Sequence, residues 1–394
     1  MKMLSVELFS GAGGLAMGIS RAGFDHRAVI ERDADSCHTI RQNQRRSVQP
    51  VADWQLYETD VRHFDYGKIK DQIDLVAGGP PCQPFSLGGK HSGWQDRRDM
   101  FPEAVRAVRE LRPRAFIFEN VKGLLRQSFA AYFQHTLLKL QYPDVLAREG
   151  ETWEEHSRRL QRIHTRGSHG GLSYRLLFHL ANAADYGVPQ RRERVIIVGF
   201  RSDIAQRWNF PPNTHDRDAL LRDMYVTGDY WERHGISKRS RPAAPETLKA
   251  RLEIIKAETG LFTGKPWRTV RDAIADLPDP EKEFTNDVFD HKLNPGARCY
   301  PGHTGSPLDE PAKTLKAGDH GVPGGENMLL KPDGSVRYFT VRESARLQTF
   351  PDEYRFPGSW AESMRQLGNA VPVKLAQTVG KSVADCLWQA ERKN

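Results

Sequence analysis

The opening Leu4-Ser5-Val6-Glu7-Leu8-Phe9 runs straight into Ser10-Gly11-Ala12-Gly13-Gly14-Leu15-Ala16-Met17-Gly18, and no other stretch constrains the fold as much. An apolar run, a glycine turn and a helical pattern predict strand, turn and helix in that order, the start of a βαβ unit. Such a turn brings backbone N–H groups and a helix amino terminus close to a bound ligand. The next predicted strand, Arg27-Ala28-Val29-Ile30, ends in Glu31, placed to accept hydrogen bonds from ribose hydroxyls. Thr59-Asp60-Val61 closes a third strand and adds a polar contact suited to an adenine amino group. These elements predict a nucleoside pocket, although the glycines alone would equally suit a dinucleotide.

A reactive thiol is predicted at the edge of the same sheet. Asp74-Leu75-Val76-Ala77 leads into Gly78-Gly79-Pro80-Pro81-Cys82-Gln83-Pro84-Phe85-Ser86. Two glycines free the backbone at the strand end and prolines fix φ on the way out, so the loop displays Cys82 at a carboxyl edge. Ala115-Phe116-Ile117-Phe118 forms another strand that stops at Glu119-Asn120-Val121. With Phe101 to Leu111 as the amphipathic crossover helix, the two strands lie side by side and both side chains reach one rim.

Residues 1–204 alternate between strands and helices, ending in Arg194-Val195-Ile196-Ile197-Val198-Gly199-Phe200, which predicts an α/β, doubly wound sheet. Between Gln141 and Ser173 a charged insertion reads as a surface helix with loops, because its few apolar residues cover one narrow face. Its histidines 156, 164 and 169 lack companion cysteines, so no metal is expected. From 205 to 325 the alternation dissolves into Pro/Gly/Trp-rich text with basic clusters such as Ser237-Lys238-Arg239-Ser240-Arg241, which suits a smaller, irregular domain with functional loops. Residues 326–394 are expected to return to the first domain. Thr340 with Glu343 is a capping-box signature, and a final helix from about Pro372 to Ala390 presents Val373, Ala376, Val379, Val383 and Leu387 at helical spacing.

With 394 residues the chain is long enough for two domains, and its net charge of +8 favours a polyanionic partner. The four cysteines, at 37, 82, 299 and 386, form no metal spacing and no dense framework, so free thiols in a reducing cytoplasm are expected. The chain leads directly into a strand and no apolar run nears the length of a membrane span, so neither signal peptide nor membrane role is expected.

Taken together, the motifs resemble one family, the S-adenosylmethionine-dependent DNA (cytosine-5)-methyltransferases of bacterial restriction-modification systems. Phe9 to Gly14 looks like the family's cofactor loop, Pro80-Pro81-Cys82-Gln83 its nucleophile loop and Glu119-Asn120-Val121 its cytosine-binding acid. Gln190-Arg191-Arg192-Glu193-Arg194-Val195 looks like its arginine motif, and Gln366-Leu367-Gly368-Asn369-Ala370-Val371-Pro372 its closing motif. Glu7, where an aspartate is commoner, and Met100, where a leucine is usual, are small departures.

The resemblance implies a Rossmann-like methyltransferase sheet with a target-recognition domain inserted before the C-terminal helix. It implies that Phe9, Gly11, Gly13, Gly14, Leu15, Glu31, Asp60, Val61 and Asn369 bind S-adenosyl-L-methionine, and that Cys82, Glu119, Arg192 and Arg194 handle the cytosine. Gln83, Ser86, Lys90, Thr314 and Leu315 would contact DNA, with Gln83 to Gly93 closing as a lid over a flipped base. The implied substrate is a short double-stranded DNA site, the implied partner a restriction endonuclease for that site, and the implied state a monomer. One branch of the family methylates transfer RNA with the same thiol chemistry. An NAD-dependent oxidoreductase would use the glycine turn and Glu31 alike, but leaves Cys82 and the arginine motif without a task. A binding module without catalysis leaves Cys82, Glu119 and the cofactor loop unexplained.

Overall fold

The computed structural model describes residues 2–81, 99–167, 169–204, 207–257, 264–282, 287–301, 304–317 and 327–392. Cys82, Gln83, Ser86 and Lys90, and the loop from Gln83 to Gly93, lie outside them.

By its internal contacts the chain divides into two units, one comprising residues 1–181, 193–211 and 353–394, the other 182–192 and 212–352. The first is built on a seven-stranded sheet of order β3-β2-β1-β4-β5-β7-β6. Its strands are β1 (Met3–Leu8), β2 (Phe24–Glu31), β3 (Leu56–Glu58), β4 (Leu75–Gly78), β5 (Ala115–Val121), β6 (Tyr174–Asn182) and β7 (Glu193–Arg201). The first five run parallel, and β7 pairs antiparallel with β5. Helices α1 (Gly14–Arg21), α2 (Ala34–Arg45), α3 (Phe101–Leu111), α4 (Ala130–Gln141) and α5 (Trp153–Arg166) accompany it. Alternation along β1 explains the two faces: Val6 and Leu8 join the main apolar cluster with α3 residues Phe101, Ala104 and Val108, while Ser5 and Glu7 point to the opposite side.

That opposite side is closed from the far end of the sequence. The last two helices, α11 (Trp360–Asn369) and α12 (Val373–Glu391), belong to the first unit, and Val373, Ala376, Val379, Val383 and Leu387 are all buried. Helix α12 packs on α1 at Gly18, where an added Cβ would stand 2.4 Å from that of Ala376. Only a glycine lets the two helices approach so closely. The insertion forms α5, capped by a reciprocal Thr152–Glu155 box, with Leu160 packed on Leu138 of α4 and on Tyr142, the residue that follows that helix.

The second unit contains short elements: β8 (His215–Asp216) paired with β9 (Lys265–Pro266), a small sheet of β10 (Ser306–Pro307), β11 (Met328–Leu330) and β12 (Val336–Tyr338), and helices α6 (Arg217–Arg222), α7 (Asp229–Arg233), α8 (Lys249–Ala257), α9 (Val270–Ile274) and α10 (Val341–Leu347). Residues 327–352, expected to accompany the first domain, make their contacts in this unit instead, and the first unit resumes at Glu353. Ion pairs explain the later boundary: in α10, Arg342 pairs with Asp290 and Arg346 with Asp276, while Glu343 is held by Arg337 of β12 at 2.6 Å. The Thr340–Glu343 box starts α10.

Candidate active site

Where β1 stops, the chain turns sharply. Phe9 takes φ 56°, a left-handed conformation that costs a bulky residue strain. Gly13, at φ 86°, caps α1, and a Cβ there would meet the Trp54 ring at 2.7 Å. The turn lines a pocket of about 420 Å³ at the carboxyl edge of the sheet, together with Leu15, Glu31, Asp60, Val61 and Asn369. Gly13 and Gly14 belong to the same turn, which Gly13 shapes through its left-handed conformation.

Glu31 organises this pocket. Its Oε2 accepts the Gly11 N–H at 2.7 Å, and its Oε1 accepts those of Arg32 and Asp33, each at 2.8 Å. Each carboxylate oxygen offers about two acceptor directions, so Oε1 is filled and Oε2 keeps one free. Asp60 follows β3, and its carboxylate is clasped by Arg62, Nε at 2.9 Å and Nη2 at 2.6 Å, with Arg32 at 3.4 Å. The Arg62 guanidinium, exposed itself, holds the Asp60 carboxyl far below the ordinary carboxylate range. The group expected to meet an adenine amino is therefore already engaged by arginines.

On the other side of the pocket mouth, β5 and β7 bring an acid and a base together. Val121 lies opposite Arg194 in the antiparallel register and Glu119 opposite Ile196, so Arg194 is the diagonal neighbour of Glu119 on one face. Arg194 Nε meets Glu119 Oε1 at 2.6 Å, with both side chains nearly buried. Burial lowers the Arg194 pKa from its ordinary value and the Glu119 charge works against that shift.

Asn120, quoted in the motif but given no task, ties the site together: its Nδ2 donates to Pro80 O at 3.0 Å. That bond pins the Pro80-Pro81 turn to the end of β5, one residue before Cys82. Gly79 lies against Glu119, whose Oε2 would stand 3.3 Å from an added Cβ. Gly79, Pro80, Pro81 and Glu119 line the same pocket as Glu31.

Arg192 belongs to the other unit, where it is buried and donates from Nη1 to Leu315 O at 3.0 Å. Thr314 Oγ1 donates to Arg191 O at 2.7 Å, and the Leu315 N–H to Gln190 Oε1 at 3.1 Å. The arginine motif thus splits between two tasks, Arg194 beside the acid and residues 190–192 holding the 314–315 segment. The Leu315 side chain, expected at DNA, is buried, and its backbone N–H and C=O are held by the Gln190 and Arg192 side chains. Two further residues were not anticipated. Arg365 lines the pocket and bonds Asp33 at 2.7 Å, and Tyr354 donates to Ala12 O at 2.7 Å, bracing the glycine turn. Both come from the last segment of the chain, and no local pattern marks them.

Among the described residues, no helix is long and apolar enough to cross a membrane. Cys37, Cys299 and Cys386 are free thiols.

A protein-family model described as C-5 cytosine-specific DNA methylase matches residues 3–143 and 154–385. The chain is 32% identical to the type II methyltransferase M.NgoMIV of Neisseria gonorrhoeae, over 98% of this chain and 99% of that protein. It is 32% identical to the type II methyltransferase M.Eco47II of Escherichia coli, over 98% of this chain and 80% of that one. In fold it resembles the crystal structure of Spodoptera frugiperda DNMT2, with a TM-score of 0.55 and 17% identity over 97% and 99% of the two chains. The family takes its methyl group from S-adenosylmethionine. A nucleoside-sized pocket with a buried acid–arginine pair on its rim fits that chemistry, and the chain belongs to this family: it is a DNA (cytosine-5)-methyltransferase.

Proposed function

We propose that the chain methylates carbon 5 of one cytosine within a short double-stranded DNA site, through a covalent bond from Cys82 to carbon 6. The observation that carries this reading is the single pocket lined by Glu31, Glu119 and the Gly79-Pro80-Pro81 turn that leads to Cys82. Bound S-adenosylmethionine supplies an electrophilic methyl group. Glu31, through the free acceptor direction of Oε2, takes a ribose hydroxyl, while Phe9, Leu15, Val61 and Asn369 enclose the nucleoside and Asp60 marks its adenine end.

Carbon 5 of cytosine is too weak a nucleophile to be methylated unaided. Addition of the Cys82 thiolate to carbon 6 turns the ring into an enamine-like nucleophile. Glu119 meets ring nitrogen 3 and the exocyclic amino group as charge develops, and Arg194 keeps that carboxylate oriented. Once carbon 5 carries the methyl group, with S-adenosylhomocysteine as the leaving thioether, loss of the carbon 5 proton to bound water would let Cys82 leave by elimination. Since carbon 6 is inaccessible in a duplex, the cytosine is flipped out, with Gln83, Ser86 and Lys90 closing on the DNA. Arg192, buried on Leu315, supports the 314–315 segment, and Thr314 presents that segment to the base edges.

The relatives' names support a type II system, with a partner endonuclease for the same site, and a monomer is sufficient for this chemistry. Transfer of labelled methyl from S-adenosylmethionine to duplex DNA and to transfer RNA tests the reading. DNA is expected to accept label, and duplexes carrying 5-fluorocytosine are expected to trap an adduct that Cys82→Ser abolishes. Label on RNA alone, or an adduct that survives Cys82→Ser, would overturn it.

A further inference from the structure

A second cavity of the first unit, about 330 Å³, lies between α3, α4 and the segment leading into α5, and shares no lining residue with the nucleoside pocket. The family match passes over residues 144–153, and these supply Val145, Leu146, Glu151 and Trp153 to its wall. The cavity is therefore in part a feature of this chain rather than of the common scaffold.

Its polar groups are not matched to one another. His135 is 6% exposed, and neither ring nitrogen hydrogen-bonds a described residue; Nδ1 is buried without a partner. Burial, with Lys139 and His156 nearby, pushes the His135 pKa down to about 3, so its imidazole is neutral and carries one N–H. Trp153 and His156 pack edge-on against it, at 5.8 and 5.2 Å between ring centres, and His156 is itself bonded to Val145 O at 2.8 Å. Lys139, one turn further along α4, also lines the cavity, and burial lowers the pKa of its ammonium, with Asp99 partly offsetting the shift. It makes no hydrogen bond or ion pair with a described residue. The carboxylate in the wall does not neutralise it: Glu151 is held by Arg159 at 2.8 and 2.7 Å and by the Arg148 N–H at 2.9 Å. Arg109 lines the cavity and is partly shared with Glu110 at 3.5 Å. A partly desolvated cation and a buried imidazole, neither hydrogen-bonded to a described residue, mark a site with room for an anionic partner.

We propose that this cavity binds a small monocarboxylate with a flat apolar body, its carboxylate on Lys139 and the His135 imidazole, its body among Val105, Val145 and Trp153. One desolvated ammonium matches one negative charge, whereas a phosphate dianion would need a second unshared cation. The apolar walls and the ring edges of Trp153 and His135 suit a flat body.

The test uses the full-length protein with 4-fluorobenzoate and, separately, inorganic phosphate, followed by fluorine NMR and calorimetry. The protein is expected to bind 4-fluorobenzoate and to prefer it to phosphate. Lys139→Met, which keeps the apolar stem, is expected to weaken binding about tenfold or more, the scale of one lost hydrogen bond to a charged group. His135→Leu removes the N–H and is expected to weaken binding several-fold, so the assignment stays open to refutation if Lys139→Met fails to fold. Methyl transfer to DNA and thermal melting establish that each variant is folded. No binding to the parent protein, tighter binding of phosphate, or unchanged affinity in a folded variant would overturn the proposal.

Discussion

Glu31 closes β2 and Glu119 lies two residues before the end of β5, and their surroundings give the two carboxylates different work. Glu31 is saturated on one oxygen by two backbone N–H groups and half-saturated on the other, so it is a fixed acceptor. Replacing it by alanine should weaken S-adenosylmethionine binding by about 1.5–3 kcal/mol, the range for a hydrogen bond to a charged group. Calorimetry is the check, with unchanged affinity counting against the pocket. Glu119 instead faces a buried guanidinium, a partner that can follow charge as it builds up on a bound ring. Glu119→Gln keeps the shape and removes the charge, so single-turnover methyl transfer should fall by about 10²–10⁴ while cofactor affinity stays near normal. A rate within a few-fold of the parent would remove Glu119 from the chemistry. At this scale the sequence placed Glu31 at a strand end and Glu119 and Arg194 in adjacent motifs, and the structure brings the last two together, because such positions are set by local signals. It assigned Arg192 and Leu315 less well, since which side of a buried hydrogen bond a residue serves depends on a segment more than a hundred positions away.

Between elements, β1 and α1 are joined by one buried imidazole. His26 Nε2 bonds Ala16 O at 2.9 Å, so its Nδ1 accepts from Ser5 Oγ at 2.8 Å and the ring is neutral. Burial pushes its pKa from the ordinary 6.5 down to about 4. A group whose folded pKa lies below its unfolded one supports the fold fully above about pH 6.5 and loses that support as pH falls toward about 4. At about pH 5 the loss from His26 is roughly 2 kcal/mol. Thermal melts from about pH 7 to 4.5 should show this fall, and His26→Gln, which takes up no proton, should flatten it; a parallel fall in the variant would exclude His26 as its source. The elements themselves were legible where periodicity is long, as in α12, whose five expected apolar positions are all buried. They were less legible in the second unit, where strands of two or three residues carry no period and α10 is committed by ion pairs to Asp276 and Asp290.

Across the whole molecule, the first unit holds the pocket lined by Glu31 and Glu119, and the second unit has a surface that is basic in places. Lys238 and Arg239 are exposed, whereas Arg241 is tied to Glu232 and to Ile236 O and so belongs to the fold. Neutralising Lys238 and Arg239 together should weaken binding to all duplexes alike and flatten the salt slope by roughly 2, about one for each phosphate left without its cation. Salt titrations by filter binding provide the check, and a changed site preference would contradict a purely electrostatic role. The central claim is that Cys82, one residue beyond the pinned Pro80-Pro81 turn, opens the cytosine ring to methylation. Bisulfite sequencing of plasmid DNA from cells expressing the chain or its Cys82→Ser variant tests it most directly. Protected cytosines at one recurring short site with the parent, and none with the variant, are the predicted result; protection that persists in the variant, or none with either chain although both are folded and expressed, would contradict the account.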